Sequence, residues 1–566
     1  MNPPTLRDCS PGHSFFKFID DVWPDVPPGV QPRYTLHRIC TLMRRMRAQR
    51  VIIEDLDPEA REWGRIFTEL QAIRKRVGRN LPSVIVRKFT FTQSQFNDVE
   101  RIGALPEEDL LGYAILITIE FGPSSFHSYI LESVIRAPGR RVEVPGRDEP
   151  WEPILNNYLH VKKSFPCHIG TDAKPMREYN LVGSFFCQQN QITGVCAHAC
   201  AAMVLNNCKE LAGIVTSEDI NRIVGIDHEN KMLNTDWASN SRGTHEGLSE
   251  IEIQAVLQSW GFEVTRLTFG QGDIGNYREF LYGFVESGYP ALLGFTTAVS
   301  HHIVPVLGHT LNSDSWAPQA FAGYVGEAIG DRKYLSTLDW VADFLVHDDN
   351  LGMYFCLPGH SFRPEGRPNP AGRFTPTVGI GVFPQGSRVS LHSYQAEDLA
   401  FLRLTEVYNF FQASGTMPFV SYYPIHLYPQ VSYKRTAVLR AFLVTQDQYL
   451  RHLCEKDSED VQLTEAERTI ITEQVQGHSR FWLVEVTEPE LYVGNRSKVV
   501  DVLIDHTIDY VSARACAGTS AGVILMRFPG FALWPGGTGY AFDLLRTCGH
   551  RKMFTLDSMG PGTADW

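Results

Sequence analysis

The sequence predicts an α+β protein of more than one domain. Three observations lead there. The 566 residues exceed what one hydrophobic core organises. A content of 43% apolar, 11% aromatic and 20% charged residues is that of a folded globular chain. Helix-period and strand-period segments also follow one another without an internal repeat, a heptad pattern or a long low-complexity tract. Shifts in this pattern divide the chain into an α+β domain over residues 1–170, a middle domain over 171–385 and a second α+β domain over 386–566.

In the first domain, helical periodicity covers Leu36 to Arg50 and Pro58 to Val77. Runs rich in β-branched and aromatic residues follow at Ser83 to Thr92, Tyr113 to Phe121 and Tyr129 to Ile135, and these predict strands. The middle domain opens with a helix after the turn signal Thr193-Gly194, continues through a further helical stretch and ends in separated strands. The Pro- and Gly-rich stretch from Pro358 to Thr377 predicts irregular chain and a domain boundary. Beyond it come a strand near Val378 to Val382 and a helix near Ala396 to Gln412, with strands near Ala437 to Thr445, Phe481 to Val486 and Lys498 to Ile504. The charged segment Lys456 to Gln474 reads as a surface helix. No motif assigns a role to either flanking domain.

The net charge of −12 argues against a nucleic-acid partner, which needs clustered positive charge. Arg74-Lys75-Arg76 with Arg79, and Arg136 with Arg140 and Arg141, are short basic patches that read as solvated surface. The start Met1-Asn2-Pro3-Pro4 lacks a basic segment followed by an apolar core. Apolar runs such as Leu110 to Ile119 are too short to cross a bilayer. A cytoplasmic protein without membrane contact is therefore expected. The eleven cysteines are scattered and form no Cys-x-x-Cys pair, which fits neither a disulfide framework nor a zinc ribbon. Most should be small buried hydrophobes.

The chemistry concentrates in three segments. From Ala197 the run Ala-His-Ala-Cys-Ala-Ala-Met-Val-Leu205 is rich in helix formers, so Cys196 falls at a helix N-terminus, where unpaired N–H groups favour a thiolate. Tyr289 to Phe295 and His301 to His309 read as two strands. Alternation puts His302, Val304 and Val306 on one face and His301, Ile303 and Pro305 on the other. Trp340 to Gly352 reads as an apolar strand that ends in the polar cluster His347-Asp348-Asp349-Asn350.

A glutamine-containing loop, a cysteine opening a helix, a strand running His-x-x-x-x-x-Gly and an aspartate ending the next strand resemble papain-like cysteine peptidases, in that order. The resemblance is closest to the double-glycine (bacteriocin-processing) peptidase-like group, through His302 to Gly308 and Val346-His-Asp348, and it covers residues 178–360 only. It implies a core of one N-terminal helix packed on an antiparallel sheet. Carried over, it makes Cys196 the nucleophile, His302 the base and Asp348 the group that fixes the imidazole tautomer. Gln189, with the Cys196 N–H, would hold the oxyanion. The implied substrate is a peptide or protein, cleaved at a peptide or isopeptide bond without metal or organic cofactor.

Two departures are visible. The position six residues before the cysteine, where such enzymes carry their glutamine, is Asn190, flanked by Gln189 and Gln191. Pro305 lacks an N–H and predicts an edge position or a local irregularity for the His302 strand. Asp349 and Asn350 compete with Asp348 for the acid's role, and His301 or His309 could replace His302. A metal site among His301, His302, His309, His347 and Asp348 is disfavoured because adjacent strand residues face opposite ways.

Gly518-Thr-Ser-Ala-Gly522 matches the nucleophile-elbow pattern, but the partner acid and oxyanion loop it needs are missing, so it reads as a turn. Gly536-Gly-Thr-Gly539 is likewise a loop, since no Lys-Ser/Thr follows it. Two other functions use the same framework. Acyltransferases of the arylamine acetyltransferase or transglutaminase kind share the Cys, His, Asp order, and a papain-like fold can persist as a catalytically inactive binding module.

Overall fold

The β-branched and aromatic runs of the first domain pair into one antiparallel sheet. The computed structural model describes residues 4–9, 34–59, 64–77, 83–122, 125–136, 157–158, 161, 163–171, 174–226, 248–269, 276–297, 301–311, 334–358, 375–386, 388–414, 436–454, 463–489, 491–492, 497–516, 520–536, 539–545 and 551–553. The first sheet contains β1 (Thr5–Asp8), β2 (Arg50–Leu56), β3 (Val84–Thr92), β4 (Leu110–Gly122) and β5 (Ser125–Ile135). After the short β6 (Asn157–Tyr158), which joins another sheet, β7 (Lys163–Thr171) and β8 (Lys174–Phe186) complete it in the order β1-β2-β3-β4-β5-β8-β7. The boundary expected at residue 170 therefore falls inside the β7–β8 hairpin, where Gly170 pairs with Pro175, and the sheet continues to Phe186.

Two helices accompany this sheet, α1 (Tyr34–Arg45) and α2 (Gly64–Val77). Both are shorter than their periodicity predicted. α1 stops because Arg47 takes a φ of 59°. The bonds Ala48 N–H to Met43 O and Arg47 N–H to Arg44 O then close a Schellman cap and turn the chain into β2. Of the basic patches, Arg76 is buried, Arg74 pairs with Glu59, and Arg136 donates to the Glu107 carbonyl at 2.6 Å. Arg79, Arg140 and Arg141 lie outside the described residues.

The middle segment supplies α3 (Cys196–Asn207), α4 (Ser217–Ile223), α5 (Glu250–Ser259) and α6 (Asn276–Glu286). Its strands are β9 (Phe262–Thr268), β10 (Ala291–Thr296), β11 (His301–Leu311), β13 (Val341–Asp348), β14 (Gly352–Pro358) and β15 (Thr375–Pro384). They form an antiparallel sheet ordered β14-β13-β11-β10-β15-β9, with β6 pairing β11. α3 is apolar on every side and buried from Ala197 to Asn207, the pattern of a helix enclosed by the core. It shares a hydrophobic cluster with the first sheet and with Ile303 and Leu307 of β11. Val304 and Val306, on the other face of β11, belong to a second cluster with α6. α6 lies close on β15 because Gly379 and Gly381 leave room for Phe280 and Phe284, whose rings stand 2.6 and 2.1 Å from where a Cβ would be.

β11 is an interior strand between β10 and β13, so the edge position that Pro305 suggested is corrected. The proline marks an irregularity instead. On the β10 side the pairing runs through Leu292–Pro305 to Thr296–His301. On the β13 side it runs from Leu311–Val341 to Val306–Val346, with register shifts, and Pro305 follows directly. The residue without an N–H stands where that ladder stops.

The third sheet joins β12 (Leu335–Ser336), parallel to β16 (Val438–Thr445), to β17 (Arg480–Thr487), β19 (Val500–Ile504), β20 (Val523–Phe528), β21 (Phe531–Gly536) and β22 (Gly539–Leu544). β12 comes from the middle segment, so the boundary at 385 separates sequence more cleanly than sheets. α7 (Ser393–Ser414) packs with α6 in the second cluster, between the second and third sheets.

A row of buried charges crosses the third sheet, because Arg440, Glu485, Asp501 and Arg527 are consecutive cross-strand partners. Arg440 also pairs with Glu286 of α6 at 2.7 Å, and Lys498 with Glu485 and Asp501 at 2.8 Å each. Glu286 holds His309 of β11.

The charged helix expected over Lys456–Gln474 spans Glu465–Val475, and residues 455–462 lie outside the described residues. Of the Pro-rich stretch, residues 359–374 also lie outside them. Ser520 to Gly522 of the Gly-x-Ser-x-Gly segment precede β20, with Gly522 at a φ of 84°, and Gly536 pairs with Gly539 at a hairpin end. Among the described residues, no helix is long and apolar enough to cross a membrane.

Candidate functional site

Cys196 is the first residue of α3 and the only one in the helix that is not buried. Val195 precedes it in extended backbone and offers no side-chain cap. A serine, threonine or aspartate there would consume N–H groups that valine leaves alone. The Val195 carbonyl accepts from His198 N–H at 2.9 Å and Ala199 N–H at 3.2 Å. The earlier N–H groups, those of Cys196 and Ala197, have no acceptor within the helix. The thiol thus sits at the positive end of the helix dipole.

The other cysteines of the segment differ. Cys187, Cys200 and Cys208 are buried and bond backbone carbonyls, and burial pushes their thiols well up. Cys200, one turn below Cys196, meets the Ile303 carbonyl at 3.0 Å and fastens α3 to β11.

His302, near the start of β11, is half-buried, and Cys196 is among the groups that act on its imidazole. Its Nε2 lies 3.2 Å from Asp348 Oδ2, which leaves Nδ1 as the nitrogen for the thiol. Phe295, its cross-strand partner, meets the imidazole edge-on with centroids 5.6 Å apart. Burial pulls the imidazole's pKa down, but the bonds to Asp348 and Cys196 and the charges of Asp348 and Asp349 outweigh it and raise it to about 10. Asp348 ends β13. Burial works against its charge, yet the bond and charge of His302 and the N–H groups of Asn350 and Leu351 hold its carboxyl below the usual range. Its oxygens divide the work. Oδ1 accepts from Asn350 N–H at 2.8 Å and Leu351 N–H at 3.0 Å, which closes the turn, and Oδ2 is left facing His302.

Cys196, His302 and Asp348 are thus brought together. Their competitors are placed elsewhere. His301 is exposed, His309 is paired with Glu286, and His347 is buried edge-on to Phe186 and Tyr354, with burial pushing its imidazole down to about 3. Asn350 points its amide at Gln189 rather than at the imidazole.

Asp349 was weighed only as a substitute for Asp348, yet its Oδ1 lies 3.7 Å from His302 Nε2. Burial raises its carboxyl to about 7. One ligand atom from each of His302, Asp348 and Asp349 lies within 4.8 Å of the others. The alternation that should have separated two adjacent residues ends here, because β13 stops at Asp348 and Asp349 enters the turn.

The loop before Cys196 treats its three amide side chains differently. Asn190 is buried and its amide is spent: Oδ1 accepts from the N–H groups of Ile192, Thr193 and Gly194 at 2.9, 2.8 and 3.0 Å, and Nδ2 donates to Glu69 and Thr193. Gln191 is exposed at a φ of 55°. Gln189 is partly exposed and donates to Asn350 Oδ1 at 2.9 Å, on the turn that carries Asp348. Asn190 therefore has no donor left for an oxyanion, whereas Gln189 stays at the site's surface.

The first sheet and its helices hold this loop, which no local pattern announced. Gln188 accepts from Ile130 N–H at 2.8 Å and donates to Thr35 and to the Asp349 carbonyl. His127 Nε2 meets the Asn190 carbonyl at 2.7 Å, and Glu69 receives both Asn190 and Tyr129. Arg38 of α1 donates to the Met353 and Tyr354 carbonyls of β14 and stacks over Phe355. No family model matches this chain, and no curated protein or solved structure is significantly similar to it.

Proposed function

We propose that this chain is a thiol hydrolase of papain-like design that cleaves a peptide or isopeptide bond through an acyl-enzyme. The observation that carries the reading is the grouping of Cys196, His302 and Asp348, in which a partly exposed thiol at a helix N-terminus acts on an imidazole held 3.2 Å from a half-buried carboxylate. A thiolate is the nucleophilic form of cysteine, and both the helix dipole and the adjacent imidazolium favour it.

In the forward step the Cys196 sulfur bonds to the scissile carbonyl carbon and the carbonyl π electrons move to oxygen. By the same resemblance, the Cys196 N–H and the Gln189 amide receive that oxyanion. Collapse expels the amine, which takes the proton from His302 Nδ1. Water then attacks the thioester while the imidazole accepts its proton, and the acid leaves with the thiol restored. Asp348 keeps its proton partner on Nε2 throughout, so Nδ1 alone cycles. The flanking domains bear on substrate choice, and a cytoplasmic setting suits the free thiols of the described cysteines.

Competitive labelling with iodoacetamide at neutral pH tests the reading. Cys196 should label at least about tenfold faster than the buried cysteines, and His302→Ala should remove most of that advantage. Cys196→Ala should abolish hydrolysis of a peptide library. Equal labelling of Cys196 and Cys200 would sink the proposal.

A further inference from the structure

Two carboxylates converge on one imidazole nitrogen. His302 Nε2 carries a single N–H, and the shorter contact, to Asp348, uses it. Asp349 is left only 1% exposed. Its Oδ1 takes a long 3.5 Å contact from the Asn350 amide, and its Oδ2 has no partner. A carboxylate oxygen buried without a donor is costly, and a cation is one way to offset that cost.

We propose that His302, Asp348 and Asp349 form a binding site for a divalent transition ion of the zinc class, whose occupancy takes the base out of the triad. The inference rests on the reading of His302 as that base. Zinc bonds to nitrogen and oxygen of about 2.0–2.2 Å give tetrahedral edges of about 3.3–3.6 Å. The separations from Nε2, 3.2 Å to Asp348 and 3.7 Å to Asp349, bracket that edge. The three ligand atoms already lie within 4.8 Å of one another, so side-chain adjustments suffice. One imidazole with two carboxylates suits zinc, whereas calcium and magnesium prefer oxygen alone. The two carboxylates also match the ion's double charge.

Binding replaces the proton on Nε2, so one proton is released and the nitrogen lone pair passes to the metal. Starting from the imidazolium, the remaining proton stays on Nδ1, and passing it to a leaving amine would leave an imidazolate on the metal, so Nδ1 no longer cycles. Cys196 is not among the three ligands. This separates the site from ordinary capture of zinc by a reactive thiol.

Calorimetric titration of Zn2+ into full-length Cys196→Ala tests the site without reference to activity. One ion should bind, and adding Asp349→Asn should weaken it by at least about a hundredfold, since the loss of outer partners alone costs 10–100-fold. Circular dichroism and melting of both variants should show that the fold is unchanged, and His302→Gln provides a second variant with the same expected loss. Identical binding with and without Asp349→Asn would overturn the proposal, as would binding that disappears with Cys196→Ala alone. In wild type, Zn2+ should slow hydrolysis of the peptide library and chelation should restore it. Fast labelling without metal alongside a flat titration would end the metal site and leave the hydrolase reading standing. Slow labelling alongside a normal titration would do the reverse.

Discussion

Asn190 spends every polar atom of its side chain on the loop that leads to Cys196, since three N–H groups converge on its oxygen. Removing an acceptor from buried donors costs about 1–3 kcal/mol. Asn190→Ala should therefore lower the melting temperature, and peptide hydrolysis should fall further than the unfolded fraction explains, because Gln189 loses its anchor. Unchanged activity per folded molecule would count against Gln189 as the oxyanion donor. At this scale the sequence was informative where local pattern marks a place: a helix start for Cys196 and a strand end for Asp348. It was silent on Glu69 and Thr35, which reach the loop from distant helices, and on Asp349, whose direction follows from the turn rather than from alternation.

The β13–β14 hairpin shows how elements aim side chains. Asp348 pairs with Gly352 across the turn, and Gly352 holds a φ of 116° with its absent Cβ directed 2.9 Å from Arg38 Cβ. Backbone of that kind costs any other residue about 1–3 kcal/mol. Gly352→Ala should destabilise the protein by at least that much in urea titration and push the turn away from α1, with hydrolysis falling alongside. A neutral effect would mean that the Arg38 contact does not constrain the turn. The strands marked by runs of β-branched and aromatic residues were legible to within a few residues, whereas β7, β8, β9 and β20 to β22 carried no signal that was read as a strand. Helix ends were not: α1 stops short of the expected Arg50 because an arginine, Arg47, fills the left-handed position that glycine usually marks. Pro305 predicts an edge position or a local irregularity, and the irregularity is what is found, since a missing N–H can also end a ladder inside a sheet.

Across the molecule, the charge row of the third sheet ties the C-terminal strands to α6 and, through Glu286, to His309 on the strand that carries His302. Burial opposes the charge of Asp501, but Lys498 and Arg527 win and hold its carboxyl well below the ordinary 3.8. A depressed carboxyl contributes stability that is present above the unfolded value and lost as pH falls below it. Asp501→Asn should cost about 3–5 kcal/mol at pH 7 by leaving buried cations unmatched. The gap between wild type and variant in urea titrations should narrow below pH 4. A gap independent of pH would show that the row is not ionised. Such long-range pairing was invisible in sequence, where these residues looked like scattered polar positions within apolar strands.

The contacts of Gln188, Asn190 and Tyr354 with Thr35, Glu69, His127, Ile130 and Ile135 bear on where the enzyme-like unit begins. Residues 178–360, the stretch that resembles a peptidase, cannot be cut out as a self-sufficient catalyst, because its nucleophile loop is bolted to chain that lies upstream. Selection acting on catalysis would then be felt at α1, α2 and β5 as strongly as at the thiol. An insertion or deletion between residues 34 and 135 would register as lost turnover rather than as altered specificity.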